Sequence, residues 1–247
     1  MREPTDRRPQ SVELVPAEWA VTTWNLHGSE RPDVARVAEA LRTESPDVVL
    51  LQEIRHSQAV ALAKSLGMRF SWDPKHFPYT RLLPQFAEGL TILTPHSLDA
   101  AGHEELSAGA SKSSWERRIA QWAVIERPDG SILRAYNVHL SPHDRGAGRR
   151  LVEAVQLSTM VTEHGDVNDV IVGGDFNDDR DSSVIDALPG IEHMPPPPSC
   201  PSVAPVKVLD HVLVPPHASG VSVTVPGGDD QWAAISDHLP VTVRFTL

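Results

Sequence analysis

Several apolar runs in this chain end in the same small vocabulary of polar residues, and that pattern constrains the fold more than any composition figure. The sharpest case is Val170-Ile-Val-Gly-Gly-Asp175-Phe-Asn177-Asp, where an apolar run delivers an aspartate and an asparagine onto an abrupt turn. Ala20–Trp24 leads into Asn25-Leu-His27-Gly28, Asp47–Leu51 into Gln52-Glu53, and Leu133–Val138 into His139-Leu-Ser. Near the end, Lys207-Val-Leu-Asp210-His211 is followed by Ala234-Ile-Ser-Asp237-His238-Leu-Pro. Runs of four to eight β-branched and aliphatic residues, bounded by Gly, Pro or charge, read as strands buried on both faces. Carboxylates, carboxamides and imidazoles are costly to desolvate unless paired or bound, so their recurrence at strand ends predicts one convergent site.

The segments between these runs read as covering helices. Arg31 to Glu44 carries Val34, Val37, Ala38 and Leu41 at helical spacing; Gln58 to Leu66 carries Val60, Leu62 and Ala63 before Gly67; Gly148 to Glu163 carries Leu151, Val152, Val155 and Val161. In the middle, Gly89–Thr94, Ile119–Ile125 and Ile132–Val138 are expected to be adjacent strands, the last two joined by a turn at Pro128-Asp-Gly130. Pro195 to Pro205 is too rich in proline for regular structure and precedes the Asp210 strand, where it either borders the site or is a plain solvated loop. Two sheets packed face to face with helices outside are the implied arrangement.

The ordered set Trp24-Asn25-Leu-His-Gly, Leu51-Gln52-Glu53, Asn137-Val-His139-Leu, Gly174-Asp175-Phe-Asn177, Leu209-Asp210-His-Val and Ser236-Asp237-His238-Leu-Pro resembles the endonuclease/exonuclease/phosphatase superfamily, in its DNase I-like branch. The resemblance implies an α/β fold, a four-layer α/β/β/α sandwich with two packed mixed β-sheets, and a phosphoric ester hydrolase dependent on Mg²⁺ or Mn²⁺. It implies Glu53 as a direct metal ligand with Asn25 and Asp237 close by, and His238 as a general base oriented by Asp210. Asp175 would be a second metal contact or a proton-transfer group. Asn177 and His139 would donate to phosphoryl oxygens, and Glu88 would support His139. Arg55, two residues after Glu53, would reach the substrate, and Arg118 is either a phosphate contact or a surface residue. His211 alternates to the opposite strand face and reads as structural. His27 stands where abasic-site enzymes often carry an acid, which disfavours that activity.

The leading substrate expectation is nucleic acid, resting on Arg55 and on Tyr79-Thr-Arg81; the alternative is a small-molecule or lipid-headgroup phosphate ester. A formal charge of -11 disfavours tight metal-free binding of polyanions and motivates that alternative. Residues 1–17 read as a disordered leader, followed by a catalytic domain over 18–247. The polar first ten residues lack the apolar core of a secretory signal, no run is long enough to span a membrane, and Cys200 is the sole cysteine, read as structural or incidental. A cytoplasmic monomer without disulfides is expected.

Overall fold

The structure, a computed structural model, describes residues 18–75, 87–107, 110, 114, 116–142, 147–165, 167–178, 183–188, 192–193 and 195–247. The expected leader, and Tyr79 and Arg81, lie outside the described residues. Strands are numbered in chain order. One six-stranded sheet contains β1 (Glu18–Asn25), β2 (Val48–Arg55), β3 (Arg69–Pro74), β4 (Glu88–Thr94), β11 (Ser219–Thr224) and β12 (Val241–Thr246), in the order β11-β12-β1-β2-β4-β3. The other contains β5 (Ser97–Glu105), β6 (Ile119–Glu126), β7 (Ile132–His139), β8 (Val170–Asp175), β9 (Glu192–His193) and β10 (Asp210–Val214), in the order β5-β6-β7-β8-β10-β9.

Each sheet has one parallel pair, β1 with β2 and β7 with β8, amid antiparallel neighbours. A parallel connection must cross over a sheet face, and here each crossover carries a helix. Helix α1 (Val34–Glu44) lies between β1 and β2, and α3 (Ala147–Glu163) between β7 and β8. Helix α2 (His56–Leu66) follows β2 directly. Asp33 caps α1 by accepting from the Ala35 amide at 2.9 Å, so the helix begins after Arg31, and α2 stops where Gly67 takes φ +67°.

β2 shows how period-two alternation makes four layers. Val48 and Leu50 pack into the core between the sheets with Trp19, Ile171 and Phe245, while Val49 and Leu51 pack beneath α1 and α2 with Val37, Leu41 and Leu62. On the far side, α3 buries Ala154, Leu157 and Met160 against Tyr136, Val138 and Val172. Each fully buried Leu, Val or Phe contributes roughly 1.5–3 kcal/mol of transfer free energy. The sheets approach closely at Gly173, where a Cβ would lie 2.6 Å from Leu50 Cδ1.

The strand at Gly89–Thr94 is not adjacent to those at 119–125 and 132–138, contrary to the expectation from sequence. It is β4, paired with β2 and β3 in the other sheet, and β5 takes the place beside β6. β5, Ser-Leu-Asp-Ala-Ala-Gly-His-Glu-Glu, is an edge strand with mostly exposed side chains, so it lacks the apolar alternation that marks a strand in sequence. The β6–β7 hairpin does turn at Pro128–Gly130, with Gly130 at φ +86°. No helix among the described residues is long and apolar enough to cross a membrane.

Candidate active site

The inner faces of the two sheets are apolar along most of their length and turn polar at one end. Counting by twos from the core residues Val21, Ala135, Ile171 and Val212 reaches Asn25, His139, Asp175 and Asp210. Strand register completes the convergence, since His139 lies opposite Asp175 and Asp175 opposite Asp210. Just beneath, Gln52 Nε2 of one sheet donates to Asn137 Oδ1 of the other at 2.8 Å, and Asn137 Nδ2 donates to the Leu51 and Thr91 carbonyls at 3.0 Å each. This buried polar tie holds the sheets in register below the site.

Asp210 is fully buried, and its Oδ2 meets His238 Nδ1 at 2.7 Å and accepts from Ser199 Oγ at 2.5 Å. Asp210 Oδ1 has no hydrogen-bond partner among the described residues. The His238 backbone is fixed as well: its carbonyl accepts from Trp24 Nε1 at 2.8 Å, and its amide donates to Ser236 Oγ, which donates to the Asn25 carbonyl at 2.6 Å. Burial disfavours the imidazolium, but the Asp210 charge and hydrogen bond, with smaller help from Cys200 and Asp175, outweigh it and hold the His238 pKa well above its ordinary value. The proline-rich loop therefore supplies working contacts, through Ser199 and through the free Cys200. Nothing local in the sequence of that loop signals that a serine in it reaches a strand 11 residues on.

Asp175 is the second buried acid. Its Oδ2 accepts from Asn25 Nδ2 at 3.0 Å and lies 3.6 Å from His139 Nε2 and 3.9 Å from His238 Nε2; its Oδ1 accepts from the Asn177 amide at 2.9 Å. Burial raises its pKa to about 6, reinforced by Asp210 and partly offset by His238 and the hydrogen bonds from Asn25 and Asn177. Gly174 sits at φ +146°, and a Cβ there would lie 1.9 Å from the Val138 carbonyl oxygen, so the approach to Asp175 requires glycine. Asn177 takes φ +51° and donates Nδ2 to the Leu140 carbonyl at 3.1 Å.

Beside these groups opens a cavity of about 320 Å³ lined by Glu53, Lys75, Glu88, Arg118, His139 and Ser141, among others. Glu53 enters it from a bulge where the β2–β4 register shifts, at φ +53°, a strained backbone for a non-glycine residue. Its Oε1 lies 3.7 Å from His139 Nδ1. Burial raises the Glu88 pKa, with the Glu53 charge adding to it and Lys75, Ser29 and Arg55 opposing it; Arg55 is the register partner of Glu88 across β2 and β4. Arg118 is only 4% exposed, which makes it a cavity residue instead of a surface one; burial lowers its pKa, against Glu153, Glu53 and Asp175. Burial and then the Arg118 charge lower Lys75 to about 8, against Glu53, Glu88 and Asp175. A lone lysine after Asp73-Pro74 carries no motif, so the sequence gives no signal for Lys75. Asp237 stands apart at the rim, its side chain 55% exposed, 3.6 Å from His27 Nδ1. His211 turns away from the cavity, as expected, with Nε2 at 3.0 Å from the Asp178 carbonyl.

Two donor sets fit a divalent cation. Ligand atoms of Asp175, Asp210 and His238 lie within 4.8 Å of one another, although the Nδ1–Oδ2 contact already occupies one donor from each of two members. Glu53 is 22% exposed toward the cavity, and Glu88, whose Oε1 is a buried oxygen with no hydrogen-bond partner among the described residues, raises with it the repulsion that a cation would relieve. These are hard oxygen donors, suited to Mg²⁺ or Mn²⁺.

A buried Asp–His pair, a second buried acid and a cation-fitting oxygen set at the mouth between two packed mixed sheets define a phosphoric ester hydrolase on an α/β/β/α sandwich. The chain belongs to the endonuclease/exonuclease/phosphatase family, whose sequence profile matches residues 22–238. It is similar to protein YbhP of Escherichia coli, at 24% identity over 92% of this chain and 96% of that one. Among solved structures it is similar to an endonuclease/exonuclease/phosphatase of Bacteroides vulgatus (TM-score 0.76, 18% identity, 94% of this chain and 99% of that one). The fold is shared by the mannosyl-6-phosphatase of Bacteroides thetaiotaomicron (TM-score 0.73, 18% identity, 93% and 100%) and a truncated TDP2 of Caenorhabditis elegans (TM-score 0.72, 17% identity, 93% and 98%).

Proposed function

We propose that this protein hydrolyses the phosphate ester of a small molecule or headgroup, using water activated by the Asp210–His238 pair. The observation that carries the proposal is the 2.7 Å Asp210–His238 pair, whose other ring nitrogen Nε2 lies 3.9 Å from Asp175 Oδ2, itself 3.6 Å from His139 in the wall of a cavity that also holds Arg118 and Lys75. Asp210 keeps the proton on Nδ1 and leaves Nε2 to take the proton of the attacking water. Water oxygen bonds to phosphorus as the ester P–O bond breaks, and the alcohol leaves with a proton returned from the site. His139, Arg118 and Asn177 are the groups assigned to the nonbridging oxygens, where negative charge accumulates. Asp175, with a pKa of about 6, is assigned to proton transfer beside Nε2. A divalent cation held by Glu53 beside Glu88 would supply positive charge to the phosphoryl group, with Asp237 too far out at the exposed rim to join them directly.

A small substrate is favoured over duplex nucleic acid by the modest cavity of about 320 Å³ and by the net charge of -11. Nucleic acid is the second reading, supported by Arg55, which stands opposite the cavity residue Glu88 across the β2–β4 pair. We assign the activity to the reducing interior of the cell, which suits a free Cys200 near the site. Purified protein with Mg²⁺ or Mn²⁺, beside a His238→Ala control, is assayed on sugar phosphates, nucleotides and inositol phosphates and on supercoiled plasmid. Phosphate release with intact plasmid supports the reading; nicking that vanishes in the control moves it to a nuclease; turnover equal in the control and wild type removes His238 as the base.

A further inference from the structure

We propose that Lys75 is a specificity-determining residue that takes the additional charged oxygen of a terminal phosphate, so that the cavity selects phosphomonoesters over phosphodiesters; this rests on the hydrolase reading above. Lys75 follows the end of β3 and is 7% exposed. Its backbone is clamped: the Lys75 amide donates to the Glu88 carbonyl at 3.0 Å, and Arg117 Nη1 donates to the carbonyls of both Pro74 and Lys75 at 2.9 Å. Its ammonium, by contrast, makes no hydrogen bond or ion pair among the described residues, and it borders the cavity that holds Glu53, Arg118 and His139.

A cationic side chain enclosed this far is costly without an anion beside it, and the buried Arg150 and Arg117 among the described residues are paired. Arg150, 1% exposed, bonds Asp178 at 2.8 Å and the Pro142 carbonyl at 3.1 Å. Arg117, 4% exposed, holds two carbonyls and lies 3.5 Å from Glu105. Lys75 has the enclosed side chain without a hydrogen-bonded partner among the described residues, in a wall facing open volume, which is the arrangement of a group completed by an incoming anion. A diester offers two nonbridging oxygens and one negative charge. A monoester near neutral pH offers three and close to two charges, because its second proton dissociates near pH ~6. The extra oxygen requires an extra donor, and a flexible ammonium with three N–H groups suits it.

The competing reading is that Lys75 only balances Glu53, Glu88 and Asp175, the acids whose fields it feels. The two readings separate in a paired experiment on wild type, Lys75→Met, Lys75→Gln and Lys75→Arg. The substrates are p-nitrophenyl phosphate and bis(p-nitrophenyl) phosphate with saturating Mn²⁺, and orthophosphate binding is measured by calorimetry. For the anion-site reading, Lys75→Met and Lys75→Gln lower monoester kcat/KM by roughly 10- to 100-fold. Diester turnover stays within about threefold, orthophosphate binding weakens in step with the monoester loss, and Lys75→Arg recovers part of both. Equal losses on the two esters, a wild-type preference for the diester, or unchanged orthophosphate binding in the neutral variants overturns it. Should wild type hydrolyse neither ester, the hydrolase reading fails on its own, while Lys75-dependent binding of orthophosphate still supports the anion site and its independence of Lys75 refutes it. Thermal melting of each variant identifies any that fails to fold, and the remaining neutral variant then decides.

Discussion

Asp210→Asn isolates the role of one charge, because the two side chains share a shape. In the native site a single oxygen, Oδ2, meets both His238 Nδ1 and Ser199 Oγ, and Oδ1 faces no partner among the described residues. An asparagine has two ways to sit there. With its oxygen in the Oδ2 position, both donors are satisfied, but a buried amide NH₂ is left at the Oδ1 position, at a cost of about 1–3 kcal/mol. With its nitrogen there, the amide donates to Nδ1, forces the proton onto Nε2 and removes the base. In either case the Asp210 charge that holds the His238 pKa up is gone while the burial that pushes it down remains. General-base assistance is worth about 10²–10⁴ in rate, or roughly 3–5.5 kcal/mol of barrier. We expect kcat for a saturating phosphate ester to fall by that factor, with the limb of the pH–rate profile that reports His238 deprotonation moved to lower pH. Steady-state kinetics from pH 5 to about 10, with Ser199→Ala as a milder perturbation of the same carboxylate, make the comparison. A kcat within about threefold of wild type, with an unmoved pH limb, would refute the reasoning.

Glu53→Ala should remove most turnover and regain part of it at high Mg²⁺ or Mn²⁺, whereas His238→Ala should not be rescued by metal; calorimetric metal titration of both variants checks the assignment. Asp175 has a folded pKa raised to about 6 from 3.8, so its contribution to stability is fully present below pH ~4 and is lost as pH rises through about 6. Metal-free wild type should thus lose up to about 3 kcal/mol relative to Asp175→Asn across that window, as read by urea denaturation in chelator, and parallel stability curves would contradict it. Gly174→Ala combines a strained φ with a clash against the Val138 carbonyl and should cost roughly 2–6 kcal/mol; an unfolding midpoint equal to wild type would show that the turn relaxes freely.

The elements that declared themselves in sequence are those whose side chains are buried on both faces. Val48–Leu51 and Val170–Val172 are continuous apolar runs because each residue has a core on its own side, and the polar group at the end of such a run stands out by contrast. Helices α1, α2 and α3 were legible from apolar residues at helical spacing, but the expected stripes are corrected in part: Val60, Val152 and Val155 are exposed, and α3 turns Ala154, Leu157 and Met160 to the core instead. β3, β5 and β11 were not, since edge strands with one or both faces wet carry little apolar pattern. In the site, Asp210, His238, Asp175 and Glu53 were anticipated from strand ends and from family resemblance. Ser199, Lys75 and the interior position of Arg118 were not, because their importance arises from contacts between distant segments. A serine after a run of four prolines and a lysine after a strand look the same in sequence whether they face a carboxylate, a cavity or water.

The connectivity of the first sheet carries a further consequence for how the protein is made. β1 is hydrogen-bonded along its length to β12, with Glu18 opposite Thr246, and their threonines Thr22 and Thr242 meet at 2.8 Å across 220 residues of chain. A ribosome therefore releases β1 with one edge bare and keeps it so until nearly every other strand has emerged. Contacts of such sequence separation form late and slowly. His238 lies only three residues before β12 begins at Val241, so this imidazole arrives with the strand that closes the sheet. Glu53, His139 and Asp175 are accordingly all made before His238, and closure of the sheet is what brings the imidazole to them.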